Sequence, residues 1–182
     1  EVRRMLEAVD RRTATGRRDY AILLLLVTYG LRAREVAAIK LDDIDWKSER
    51  LRIRERKAGH STGYPLSSVV GNAILEYLEK DRPKASDRSL FFRMQAPIGP
   101  MSWQSISGRE VHYLRAAGID VPKGGSHTLR HTCVQWLVDA KFSLKLIGDY
   151  VGHRSADSTR IYTKVDIESL RELSLGLGED LL

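Results

Sequence analysis

In the run GGSHTLRHTCVQWLVDA, residues 124–140, the apolar positions Leu129, Cys133, Trp136, Leu137 and Ala140 fall on one face at helical spacing. Gly124, Gly125 and Ser126 supply a loop and an N-cap, so the pattern predicts a helix over 127–140 with His127 and Arg130 in its first turn. Unpaired backbone N–H groups and the positive end of the helix dipole favour an anion at such a terminus. Two cationic or donor side chains placed there suit a phosphate.

Helical spacing recurs on both sides of this segment. Upstream, Val2, Met5, Leu6 and Val9 predict a first helix, and Asp19 through Tyr29 a largely buried second one, with Gly30 as its breaker and Arg32 directly after the break. A short helix is expected over 34–40. Asp42, Asp43 and Asp45 then lead into Leu51-Arg52-Ile53-Arg54, whose period of two predicts a strand. A second strand at Tyr64 to Leu66 would close a hairpin over a turn at 58–63. Further helices are predicted over 68–80, 102–117, 143–151, 155–164 and 167–173. The fold class is therefore mainly α with a small antiparallel β-sheet (α+β), with no internal repeat and no clear linker.

The 182 residues fit one domain with a sizeable core. Lysine and arginine exceed aspartate and glutamate by 30 to 24, a net charge of +6, which favours a polyanionic partner, nucleic acid first. Cys133 is the only cysteine, so no intramolecular disulfide can form and a reducing, cytoplasmic setting is the default. The longest apolar run, Ala21 to Val27, is far short of the roughly 20 residues that cross a bilayer, and no signal-peptide pattern opens the chain.

Three separated stretches carry a more specific signal. Tyr29-Gly30-Leu31-Arg32-Ala33-Arg34-Glu35-Val36, His127-Thr128-Leu129-Arg130-His131, and Val151-Gly152-His153-Arg154-Ser155 followed by Tyr162 resemble, in order, the first arginine box, the H-x-x-R box, and the histidine and nucleophile boxes of tyrosine recombinases of the phage-integrase type. The spacing from His153 to Tyr162, with Thr159 between them, also matches that pattern. The resemblance covers nearly the whole chain. It implies a catalytic domain over 1–182 with the DNA breaking-rejoining enzyme fold, 164–182 forming a C-terminal tail helix. It also implies that the DNA-clamping domain found upstream in such proteins is absent from this chain.

The chemistry of those residue types agrees with the resemblance. Phosphoryl transfer needs an in-line nucleophile, neutralisation of the non-bridging oxygens and a proton for the leaving oxygen. Arg32 and Arg130 can each offer a planar, permanently charged fork to a phosphate. A tyrosine hydroxyl with a reference pKa of about 10 needs help to ionise. The resemblance implies that Tyr162 is the nucleophile and His127 the acid/base group. It assigns Lys57, at the mouth of the hairpin, to protonating the leaving hydroxyl, His153 to binding the phosphate, and Glu35 to holding the arginine pocket. It further implies a site-specific recombinase or integrase of a mobile genetic element, acting on double-stranded DNA through a covalent 3′-phosphotyrosine. Such an enzyme uses no ATP, cofactor or metal. It is associated with the nucleoid, is monomeric in isolation and assembles as a homotetramer on paired sites. Without the clamp, DNA affinity should be weak and strongly salt-dependent.

Other readings explain less. His127 and His131, with Cys133 and His153, could ligate a metal, but Arg130 and Arg154 would lie beside the cation and the glutamate of an H-E-x-x-H site is missing. Asp42, Asp43 and Asp45 could suggest a two-metal nuclease, although aspartates clustered before a strand are more often turn residues. His131 could be a buried structural histidine as readily as a catalytic helper. Residues 143–164 superficially resemble a helix-turn-helix, so a DNA-binding protein without catalysis, or an inactive relative of the recombinases, is the alternative function. A type IB topoisomerase shares the nucleophile chemistry, but the compact layout from first arginine to tyrosine favours a recombinase.

Overall fold

A computed structural model describes residues 1–56, 60–120 and 128–152. The predicted helices over 155–164 and 167–173, and the loop and N-cap at 124–126, lie outside those residues. Within them the chain forms α1 (Val2–Glu7), α2 (Ala14–Tyr29), α3 (Ala33–Ala38), a 3-10 turn (Leu41–Asp43), β1 (Ile44–Asp45), β2 (Arg50–Arg56), β3 (His60–Pro65), α4 (Ser68–Lys80), α5 (Trp103–Ala116), α6 (Thr128–Asp139) and α7 (Leu144–Tyr150).

Helix α2 is the axle of the fold. Every residue from Tyr20 to Tyr29 is buried, as expected of a helix that is apolar all round, and α4, α5 and α6 pack against it. It starts five residues before the predicted Asp19, because Thr13 caps it by accepting a hydrogen bond from the Gly16 N–H at 3.0 Å. The polar first turn gave no apolar periodicity to read. An ion pair and a buried hydrogen bond lock it sideways. Arg17 makes a bidentate contact with Asp81, at the end of α4, at 2.6 and 2.7 Å. The fully buried Asp19 accepts from Arg18 at 2.6 Å and from the Tyr113 hydroxyl of α5 at 3.1 Å.

The sheet is antiparallel in the order β1-β2-β3. Leu51 and Ile53 face the core while Arg52 and Arg54 face outward, the alternation read from the sequence. Two details differ from expectation. The far strand begins at His60, so Gly63 pairs with Arg52 inside the ladder instead of lying in the turn, and Leu66 falls beyond the strand. A third strand, β1, was not foreseen, since two residues are too few to display a period. Asp42 and Asp43 lie in the 3-10 turn before it and Asp45 within it, and each accepts from protein donors. Asp45 accepts from the backbone of Lys47 and Ser48, Asp43 from Lys40 N–H and Arg54, and Asp42 pairs with Arg88.

Three tyrosines tie this hairpin to the helices. The Tyr64 hydroxyl, on β3, donates to the Tyr150 carbonyl of α7, and its ring lies 5.1 Å from that of Tyr29 and 5.2 Å from that of Tyr150. The Tyr29 hydroxyl donates to Pro65 O at 3.0 Å and accepts from Ser67 N–H at 2.9 Å. The base of the hairpin is thereby fixed against the C-terminal ends of α2 and α7.

Candidate active site

Two of the predicted site residues, Arg32 and Arg130, belong to the described structure. Lys57, His127, His153 and Tyr162 lie outside the described residues.

Arg32 is placed by the turn that ends α2. Gly30 takes the left-handed conformation there, with φ of 58°, and the chain re-enters a helix two residues later with Arg32 as the N-cap of α3. Glu35, in the first turn of α3, accepts from the Arg32 backbone N–H at 2.8 Å and from Arg32 Nη1 at 3.0 Å. One carboxylate thus caps the helix and aims the guanidinium. The Arg32 side chain is 29% exposed, and its Nε and Nη2 have no partner among the described residues. Its neighbour Arg34 turns elsewhere, its guanidinium 4.8 Å above the Trp103 ring.

Arg130 lies in the first turn of α6, as the spacing predicted, but on the buried stripe with Cys133 and Leu137. Helix α6 ends at Asp139, and Ala140, expected on the apolar face, is exposed. The arginine is tolerated in the interior because two of its N–H groups are satisfied by main-chain acceptors: Nη1 donates to Gly30 O and Nη2 to Val151 O, both at 2.5 Å. A single guanidinium therefore clips together the turn carrying Arg32 and the end of α7. Gly152, with φ of 72°, then redirects the chain immediately before His153.

Gly30 is needed at this junction for two independent reasons. A Cβ there would adopt a left-handed backbone and would meet Val151 Cγ1 at 3.0 Å and Cys133 Sγ at 3.3 Å. Gly30→Ala is expected to cost about 2 to 4 kcal/mol, the sum of backbone strain and overpacking, and to displace Arg32. Urea denaturation of the variant measures the first effect.

The residues weighed as metal ligands sit in unlike surroundings. Cys133 is buried and donates to Thr28 O at 3.6 Å, and burial pushes its thiol up to about 12. His131 is exposed, which overturns its reading as a buried structural histidine; one residue after the inward-facing Arg130, it projects from a different side of the helix.

One residue of this neighbourhood was missed. Glu110 of α5 is fully buried and accepts the Leu129 N–H, in the first turn of α6, at 3.2 Å. Burial raises its carboxyl to about 7, opposed only in part by that hydrogen bond. An acid whose folded pKa is raised favours the neutral form in the native state. Its contribution therefore declines as pH climbs from about 4.5 to about 7, by about 3 kcal/mol in total. Stability measured across that range should fall in the wild type and fall less in Glu110→Gln.

Among solved structures, the recombinase XerH bound to its difH substrate before cleavage superposes with a TM-score of 0.72 over 93% of this chain and 50% of XerH, at 20% identity. The fold is thus that of a tyrosine recombinase catalytic domain. The Phage integrase family model matches residues 1–169, and the chain belongs to that family. Among curated relatives, "Putative integrase/recombinase y4rA" of Sinorhizobium fredii is 41% identical over 96% of this chain and 42% of its own length. Tyrosine recombinase XerC 2 of Ralstonia nicotianae is 31% identical over 95% of this chain and 50% of its own length. The chain spans about half the length of these relatives. Among the described residues no helix is long and apolar enough to cross a membrane.

Proposed function

We propose that this chain is the strand-transfer domain of a site-specific DNA recombinase that works through a covalent 3′-phosphotyrosine. The observation that carries the reading is the Arg130 clip, which holds the Arg32 turn and the segment leading into His153 at one point. Family membership supports the same chemistry.

In the proposed step the Tyr162 oxygen attacks the scissile phosphorus while the bond from phosphorus to the 5′-oxygen breaks. His127 takes the tyrosine proton and Lys57 supplies one to the departing 5′-oxygen, which leaves as a hydroxyl. Arg32, Arg130 and His153 neutralise the non-bridging oxygens as charge builds on them. Because the phosphotyrosine conserves the energy of the phosphodiester, a 5′-hydroxyl from another strand reseals the DNA by the reverse reaction without ATP. Double-stranded DNA is the substrate, two paired sites would be joined within a homotetramer, and the setting is the cytoplasmic nucleoid.

A library of nicked duplexes with randomised sequence around the nick tests this whatever the target sequence is. The protein should trap covalent adducts in EDTA, with the DNA attached through its 3′ end. Failure to trap any duplex, or attachment through a 5′ end, would count against the reading.

A further inference from the structure

Among the described residues, buried side-chain oxygens without a hydrogen-bond partner occur at Thr28, Ser67, Glu110 and Asp149. Glu110 differs from the others in what its two oxygens do. Oε1 reaches from α5 to the backbone of α6, accepting from Leu129 N–H, while Oε2 stays buried with no partner among the described residues. Leu129 is the second residue of a helix whose first turn contains no acidic side chain of its own. The N–H groups of a first turn have no intrahelical acceptor, so a carboxyl oxygen brought in from a neighbouring helix satisfies one of them. The next residue along is Arg130.

We propose that Glu110 is a positioning residue for Arg130: by accepting the Leu129 N–H it fixes the first turn of α6, and so the angle from which the guanidinium meets Gly30 O, Val151 O and the scissile phosphate. This rests on the reading of Arg130 as a phosphate-binding residue. The length of the side chain is what matters here. Glutamate at this place on α5 spans to the α6 backbone, and a side chain one methylene shorter cannot do so without moving α6. A displacement on the order of 1 Å at a phosphate-binding group is enough to lose about 100-fold in rate.

Two conservative variants separate reach from the ionisable group. Glu110→Gln keeps the reach and an acceptor oxygen but cannot ionise; Glu110→Asp keeps the carboxyl but not the reach. Single-turnover cleavage is measured for both in the full chain at saturating DNA, on a duplex trapped by the wild type, alongside DNA affinity and thermal unfolding. The expected result is a loss of about 10- to 100-fold in cleavage rate for Glu110→Asp, with DNA affinity unchanged within about twofold. Glu110→Gln should recover the rate to within about threefold of wild type.

Wild-type rates in Glu110→Asp would overturn the proposal. So would the reverse order, with Gln slow and Asp fast, which would assign the effect to the ionisable group. A loss in both variants, or a loss confined to DNA affinity, would overturn it too. Absence of any wild-type adduct brings down the strand-transfer reading and this proposal with it, whereas a wild-type adduct with indifferent Glu110 variants brings down this proposal alone.

Discussion

Replacing Arg130 by lysine is expected to lower strand cleavage about a thousandfold and to cost about 2 kcal/mol of stability. Both effects come from the geometry of one group. The guanidinium donates to Gly30 O through one terminal nitrogen and to Val151 O through the other. A lysine ammonium is a single point charge on a flexible stem and cannot span two carbonyls on opposite sides. One buried carbonyl is left without its donor, which accounts for the stability loss. The turn bearing Arg32 then loses its tie to the end of α7, and the planar contact proposed to phosphate is lost as well, which accounts for the expected rate. Equilibrium denaturation and single-turnover cleavage at saturating DNA read the two separately. A lysine variant that cleaves at a rate near wild type would show that the fork is not needed.

Arg32→Ala is expected to give a rate loss of similar size, about 100- to 1000-fold, with little change in stability. The contrast with Arg130 follows from burial. Arg32 is a partly exposed N-cap residue whose side chain makes one ion pair, with Glu35 at 3.0 Å, and such pairs contribute under about 1 kcal/mol. The Glu35 carboxylate keeps its bond to the backbone N–H of residue 32 after the side chain is removed, so the start of α3 should survive. A large stability loss in this variant would place Arg32 among the structural residues instead of at the phosphate.

The readable part of the site was the part encoded locally. Gly30 after an apolar helix, Arg32 directly past the break, and Arg130 in the first turn of a helix are all statements about neighbours in sequence, and the structure has Gly30, Arg32 and Arg130 where those statements put them. The alternation of Leu51, Arg52, Ile53 and Arg54 was sufficient for β2. The start of α2 slipped because no large apolar residue marks the turn between Ala14 and Asp19.

What could not be read is how these pieces meet. The acceptors of Arg130 lie 100 and 21 residues away in the chain, and no spacing rule connects an arginine to a main-chain oxygen at that distance. From sequence, Arg130 was a cation for phosphate, with no hint of its second task in the core. The same holds for Tyr64, which reads as one more residue of a strand and is in fact the post between β3 and α7, and for Glu110, which sits on a helix of mixed polarity with nothing to distinguish it from a solvated glutamate. Burial of a polar group is decided by which elements pack together, and that information is spread over the whole chain.

The most direct test of the strand-transfer mechanism is to find where DNA is attached. A trapped adduct is trimmed with nuclease, digested with trypsin and read by mass spectrometry. The expected result is a nucleotide 3′-phosphate carried by the peptide of residues 161–164, on Tyr162, and no adduct in Tyr162→Phe. An adduct on any other residue, or one that persists in the phenylalanine variant, would contradict the mechanism.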